Sequence, residues 1–218
     1  MNTILFGSTG MVGEGVLHMA LRDPAVSSIL VVNRRPCGIT DPKLTEVIHP
    51  DFHDLEPIRA SLSGLDAGFF CMGISSIGKS EEEYTRTTHT LTLHVASVLK
   101  ALNPDMTFCY VSGLGTDSSE EGRSMWARVK GRTENDLFRL FDSAYAFRPG
   151  YILPIPGMKH TYTVYKILKP LHPVVRFLFP GSVCTLEELG RAMVRAAARG
   201  YTRNILECTD IRELGSLP

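Results

Sequence analysis

Three glycines stand at regular spacing near the start of the chain, in Gly7-Ser8-Thr9-Gly10-Met11-Val12-Gly13. An apolar run precedes them and a helical pattern follows. In that setting each glycine has its own chemical use. Gly7 makes a tight turn off a strand, Gly10 lets a pyrophosphate approach the backbone without meeting a Cβ, and Gly13 permits close helix-on-strand packing. The unpaired N–H groups and the dipole of the helix N-terminus then face the phosphates. Gly7, Ser8, Thr9, Gly10, Met11, Val12 and Gly13 are therefore candidate ligand contacts. The plainer alternative is a strand-to-helix turn that holds nothing.

A second cue concerns the ribose. In NAD-specific sites an acidic residue about 20 residues beyond the glycines takes the ribose hydroxyls. Here the second strand ends in Asn33-Arg34-Arg35-Pro36, with no acid. A 2′-phosphate would meet guanidinium forks, whose planar geometry suits phosphate oxygens. The expectation is NADP(H) in preference to NAD(H), against the alternative that one arginine is an ordinary solvated residue.

Such a loop needs a sheet behind it, and the pattern supplies one. Short apolar runs at Thr3–Phe6, Ser28–Asn33, Leu44–His49, Ala67–Met72, Met106–Ser112 and Ala144–Arg148 alternate with helical stretches at Met11–Arg22, Leu55–Leu62, Ser80–Leu102 and Arg123–Phe141. That rhythm predicts an α/β fold, a Rossmann doubly wound parallel sheet with helices on both faces. Met106–Ser112 lacks polar alternation, as a strand covered on both sides should. Cys71-Met72-Gly73 closes the fourth strand, where the backbone runs beside a bound dinucleotide; the apolar neighbours of Cys71 argue for an inert buried thiol.

After Arg148-Pro149-Gly150 the pattern changes. Residues 151–184, rich in proline and aromatics, read as a small C-terminal cap over the substrate end. Thr185 and Glu188 form a capping-box pair opening a helix to about Arg199, and Asn204–Cys208 and Ile211–Leu214 add a strand and a last turn. The chain of 218 residues suits a single domain, 1–218.

Composition narrows the function. Lys+Arg and Asp+Glu both number 23, so the basic excess of a nucleic-acid binder is missing. No apolar run approaches the roughly 20 residues of a membrane span. Five scattered cysteines without a C-x-x-C pair fit a reducing compartment, and the N-terminus lacks a charged signal-peptide region, so a cytoplasmic protein is expected. The seven histidines make no metal-ligand spacing, so no metal is expected. A homodimer or a protein partner is compatible with all of this.

The spacing Gly-x-x-Gly-x-x-Gly, with Asn33-Arg34-Arg35, Val111-Ser112-Gly113-Leu114-Gly115, Val129-Lys130-Gly131 and Phe147-Arg148-Pro149-Gly150, resembles the extended, epimerase-like, and atypical short-chain dehydrogenase/reductases. Within them it is most similar to small NAD(P)-binding proteins of the Tat-interacting-protein oxidoreductase type, and the likeness spans nearly the whole chain. The resemblance implies that Asp54 and Leu55 lie beside the adenine, although Asp54 could equally cap the helix after it. It also implies a catalytic serine, tyrosine and lysine. Ser112 and Lys130 match two of these, but Trp126 stands where the tyrosine belongs. An indole cannot exchange a proton near neutral pH. Tyr151 or Tyr84 could replace it, the substrate could take its proton from water, or the protein could bind NADP(H) without turnover as a redox-responsive regulator with a protein partner. For Lys130 the plain alternative is a solvated lysine paired with Glu134, and for Ser112 a strand-end hydroxyl capping a turn.

Overall fold

The structure is a computed structural model that describes residues 1–155, 158 and 180–217. Its centre is a seven-stranded sheet of β1 (Asn2–Phe6), β2 (Ser28–Asn33), β3 (Leu44–Ile48), β4 (Ala67–Phe70), β5 (Thr107–Val111), β6 (Ala144–Arg148) and β9 (Ile205–Glu207). All neighbours are parallel, in the order β3-β2-β1-β4-β5-β6-β9. The chain therefore winds outward from β1 through β3, crosses back to β4, and winds the other way. The reversal lies between β1 and β4, where open α/β sheets leave a crevice beyond the strand carboxyl ends.

Side-chain alternation along each strand feeds two cores. Leu5, Phe69, Cys109 and Phe147 face one side with α1 (Met11–Arg22), α5 (Leu186–Arg199) and α6 (Cys208–Ser216). Ile4, Phe6, Phe70, Phe108 and Tyr110 face the other with α3 (Leu91–Leu102) and α4 (Met125–Leu140). Both faces are covered, which is why the strands read as continuous apolar runs.

Most element boundaries fall where the sequence puts them. The stretch expected as one helix from Ser80 to Leu102 is α2 (Glu81–Thr85), a π-turn (Arg86–Thr90) and α3, opened by a Ser80–Glu83 capping box. The short helix near Leu55 is a 3₁₀ turn, Glu56–Leu62. Thr185 and Glu188 form the expected capping box of α5. The expected last turn at Ile211–Leu214 is a longer helix, α6, because Ile211 and Leu214 pack into the core beside α5.

Of the segment expected as a cap, Tyr151–Leu153 forms β7 and Val183–Thr185 forms β8, paired in parallel as a separate small sheet. Residues 156, 157 and 159–179 lie outside the described residues.

Candidate active site

The glycine loop sits at the β1/β4 switch point. Gly7 has φ +92°, and a Cβ there would lie 2.8 Å from the Cys71 carbonyl carbon. A Cβ on Gly13 would lie 2.0 Å from Gly7 O. Both positions are closed to a side chain by the fold itself. Gly10 differs: its φ is −102° and a Cβ would meet nothing nearer than Gly7 O at 3.5 Å. Gly10 N donates to Gly7 O at 3.0 Å, and Gly10 O accepts from Glu14 N at 2.8 Å, which shapes the turn into α1.

A cleft of about 440 Å³ opens in front of this turn. Gly7, Thr9 and Gly10 form one wall, Arg34 and Arg35 another, and Cys71, Met72 and Gly73 a third. Arg34 and Arg35 are exposed and make no ion pair among the described residues. Cys71 is half-buried, and desolvation pushes its thiol up, so it stays protonated.

Other candidates also hold contacts within the protein. The buried Ser8 hydroxyl donates to Asn33 Oδ1 at 2.8 Å, and Asn33 Nδ2 donates to Glu46 Oε1 at 2.8 Å. Met11 is buried in one core, Val12 packs against it, and Leu55 is buried in the other. Asp54 Oδ1 accepts from Glu56 N at 3.1 Å and so opens the 3₁₀ turn. Asp51, Phe52 and His53 line the cleft in its stead, a shift of one turn along the chain.

Glu46 escapes sequence reasoning. Its strand pairs with β2, bringing a carboxylate beneath the end of that strand. Oε1 also accepts from Cys37 N at 2.8 Å. Desolvation opposes its ionisation, but hydrogen bonds from Cys37 and Asn33 outweigh it and hold the carboxyl below its ordinary value. The acid missing from β2 is thus present on β3, tied to Asn33 and Cys37.

A second hollow, about 560 Å³, lies beyond β5 and β6. Gly113, Leu114, Trp126, Pro149, Gly150 and Tyr151 form most of its wall, with Ser182 and Val183 from the other end of the cap segment. Beside it, Lys130 Nζ donates to the Ser112 carbonyl at 2.9 Å and lies 5.8 Å from the Tyr110 ring centroid. Burial pulls the Lys130 ammonium down to about 8, against a smaller upward pull from Glu134. Thr116 Oγ1 donates to Gly113 O at 2.7 Å, so the 2.9 Å contact between Ser112 Oγ and Thr116 Oγ1 carries the serine's proton. The fold thus brings Ser112 and Lys130, both singled out in the sequence, into direct contact. Lys130 is not the solvated partner of Glu134: that carboxylate is fully buried and takes Arg148 through Nε at 3.1 Å and Nη2 at 2.5 Å.

The two candidate stand-ins for the tyrosine separate. Tyr84 is buried, and burial pushes its phenol up. Tyr151 is half-buried on the wall of the second hollow, its phenol also pushed up by burial.

No family model matches the chain. A Debaryomyces hansenii protein described as "Protein FMP52, mitochondrial" is 28% identical over 209 residues, covering 93% of this chain and 90% of the relative. Rat "Protein HTATIP2" is 26% identical over 155 residues, 70% of this chain and 63% of that protein. The chain is a homologue of FMP52 and HTATIP2. The expected likeness to the atypical short-chain dehydrogenase/reductases therefore holds. Among solved structures, UDP-glucose 4-epimerase from Thermotoga maritima superposes with TM-score 0.67 at 14% identity, covering 99% of this chain and 81% of that one. The dTDP-glucose 4,6-dehydratase DesIV from Streptomyces venezuelae, solved with NAD and TYD bound, superposes with TM-score 0.69 at 18% identity, covering 99% and 79%. At such identities these two show the shared Rossmann-like fold.

One expectation is overturned. The cytoplasmic placement does not stand, because fungal relatives are described as mitochondrial. Free cysteines report only a reducing surrounding, and an organelle address is read by a receptor, so neither composition nor fold encodes it. Among the described residues no helix is long and apolar enough to cross a membrane.

Proposed function

We propose that this chain binds NADP(H) across the switch-point cleft and acts as an oxidoreductase on a small carbonyl compound. Gly10 carries the reading. It is a glycine that the protein's own packing does not demand, at a helix N-terminus, where backbone must be approached from outside. The residues offered to the cofactor are the loop Gly7–Gly13 for the pyrophosphate, Asn33, Arg34 and Arg35 for the adenosine ribose, and, on the adenine side, Asp51, Phe52 and His53 with Asp54 and Leu55 behind them. Cys71–Gly73, Lys130 and Tyr151 follow toward the nicotinamide. When bound, the nicotinamide supplies a hydride. Ser112, turning its hydroxyl from Thr116, orients the substrate oxygen, and Lys130 places a positive charge beside it. Tyr151, Ser182 and Val183, from the described ends of the segment 151–184 expected as a cap, close the substrate side of the hollow.

The fit to a 2′-phosphate rests on two exposed guanidinium groups without a competing carboxylate partner among the described residues. The DesIV structure holds NAD, so the preference needs its own test. Calorimetric titration is expected to show NADPH binding more tightly than NADH. Arg34→Ala with Arg35→Ala should weaken NADPH by about 10–100-fold and leave NADH nearly unchanged. Equal losses for both nucleotides would remove the assignment.

The glycines offer a second test. Gly10→Ala should leave the melting temperature close to that of the parent, because the Cβ has room, while cofactor affinity falls at least about tenfold. Gly13→Ala should lower the melting temperature itself, because the Cβ collides with the Gly7 carbonyl.

Trp126 at the tyrosine position favours one rival, a regulator that binds NADP(H) without turnover. Tight NADPH binding with no oxidation by any carbonyl compound would select it.

A further inference from the structure

The wall of the second hollow has a character of its own. None of its described lining residues is Asp, Glu, Lys, Arg or His. Leu114, Trp126, Pro149 and Val183 make it largely apolar, and Tyr151 and Ser182 supply hydroxyls. The indole of Trp126 is set close behind by Gly115: its Cη2 lies 3.5 Å from the place a Cβ on that glycine would take. Gly115 has φ +86°, so a glycine there serves both the turn and the ring.

Such a wall discriminates. A diphosphate brought against it would lose its water and find no guanidinium or ammonium among the described residues of the wall, with Lys130 alone beside it, which is costly. A hexose would leave most of its hydroxyls without partners for the same reason. A flat, unsaturated, uncharged molecule loses little water and gains an aromatic face. The Lys130–Ser112 pair beside the hollow then gives one polar atom a place to go.

Building on the oxidoreductase reading above, we infer that the second hollow takes a planar, uncharged aryl or α,β-unsaturated carbonyl compound, stacked on Trp126. It does not take a nucleotide sugar such as the UDP-glucose held by the epimerase of the same fold. Trp126 is thus a specificity-determining residue, and its occupation of the tyrosine position exchanges a proton carrier for a stacking surface.

Trp126 is the sole tryptophan in the sequence, so its fluorescence reports this hollow alone. The test uses three probes with the full chain, with and without NADPH: cinnamamide (flat and unsaturated), cyclohexanecarboxamide (puckered and saturated) and UDP-glucose. Cinnamamide should quench the emission and bind at least about tenfold more tightly than cyclohexanecarboxamide. In calorimetry Trp126→Ala should weaken cinnamamide about tenfold and Trp126→Phe by much less. Tighter binding of UDP-glucose than of cinnamamide would overturn the inference. So would equal binding of the two amides, or cinnamamide affinity indifferent to both Trp126 variants. Circular dichroism melting of each variant separates lost contact from lost fold, and Trp126→Phe keeps the test open if the alanine variant does not fold. NADPH affinity is read in the same titrations, so failure of the cofactor reading shows separately from failure of the stacking one.

Discussion

Arg148→Met is expected to lower the free energy of unfolding by about 3–5 kcal/mol. Arg148 ends β6, and its guanidinium reaches Glu134 on α4, Ser118 Oγ at 2.5 Å and Glu207 Oε1 at 3.5 Å. Glu134 has no exposure of its own. Removing the cation strands a carboxylate in the interior, and that uncompensated charge, more than the lost attraction, sets the size of the effect. The double variant Arg148→Met with Glu134→Leu should recover much of the loss, because it removes both charges. Urea denaturation of the four proteins in the cycle gives the coupling directly. Additive single and double effects would show that the pair does not act as a unit. The pair also matters for the site. Glu134 lies one turn beyond Lys130 on α4, and Arg148 precedes the Pro149-Gly150 wall of the second hollow, so one buried contact fixes the helix that carries Lys130 and Trp126 against the sheet.

Lys130→Met is expected to reduce turnover with a reducible carbonyl compound by about 10²–10⁴-fold. The ammonium touches the Ser112 carbonyl at 2.9 Å in a poorly solvated place, where a positive charge acts strongly on a developing oxyanion. Burial pulls its pKa down to about 8, so the active charged form predominates below that pH and is lost above it. The rate should therefore fall as pH rises through about 8 in the parent protein. Lys130→Arg, which cannot lose its proton in that range, should abolish this limb whatever its rate.

Stability gives a check that needs no substrate. A lysine in the unfolded chain titrates near 10.4, above the folded value. Between the two the unfolded state holds the extra proton, so stability rises with pH there. The cost of the buried charge is complete below the folded pKa and is relieved as pH climbs from about 8 toward the unfolded value. Relative to Lys130→Met, the parent should gain up to about 3 kcal/mol across that window. A flat difference would mean that Lys130 is solvated.

The sequence by itself determined the elements and the front of the cleft. Strand and helix positions followed from local periodicity, because a strand buried on both faces and an amphipathic helix leave different marks within a dozen residues. The glycine loop was legible for the same reason: Gly7, Gly10 and Gly13 are neighbours in the chain and act within one turn. Arg34 and Arg35 were legible because the second strand of this fold ends beside the first loop.

Tertiary structure decided whatever depends on partners distant in the chain. The side chains of Ser8 and Asn33 are tied into a strut with Glu46, a contact that only the strand register creates. Glu134 looked like the i+4 partner of Lys130, yet Arg148 on β6 outcompetes it by burying a bidentate contact. Asp51, Phe52 and His53 line the cleft beside Asp54, while Leu55 packs into the core, a placement that no local pattern announces. Tyr151 and Trp126 meet at one hollow only because β5 and β6 are adjacent in the sheet. Local pattern is written by the solvent each residue must face. The contacts of a site are written by the register of strands far apart in the chain, on which a short stretch of sequence carries no information.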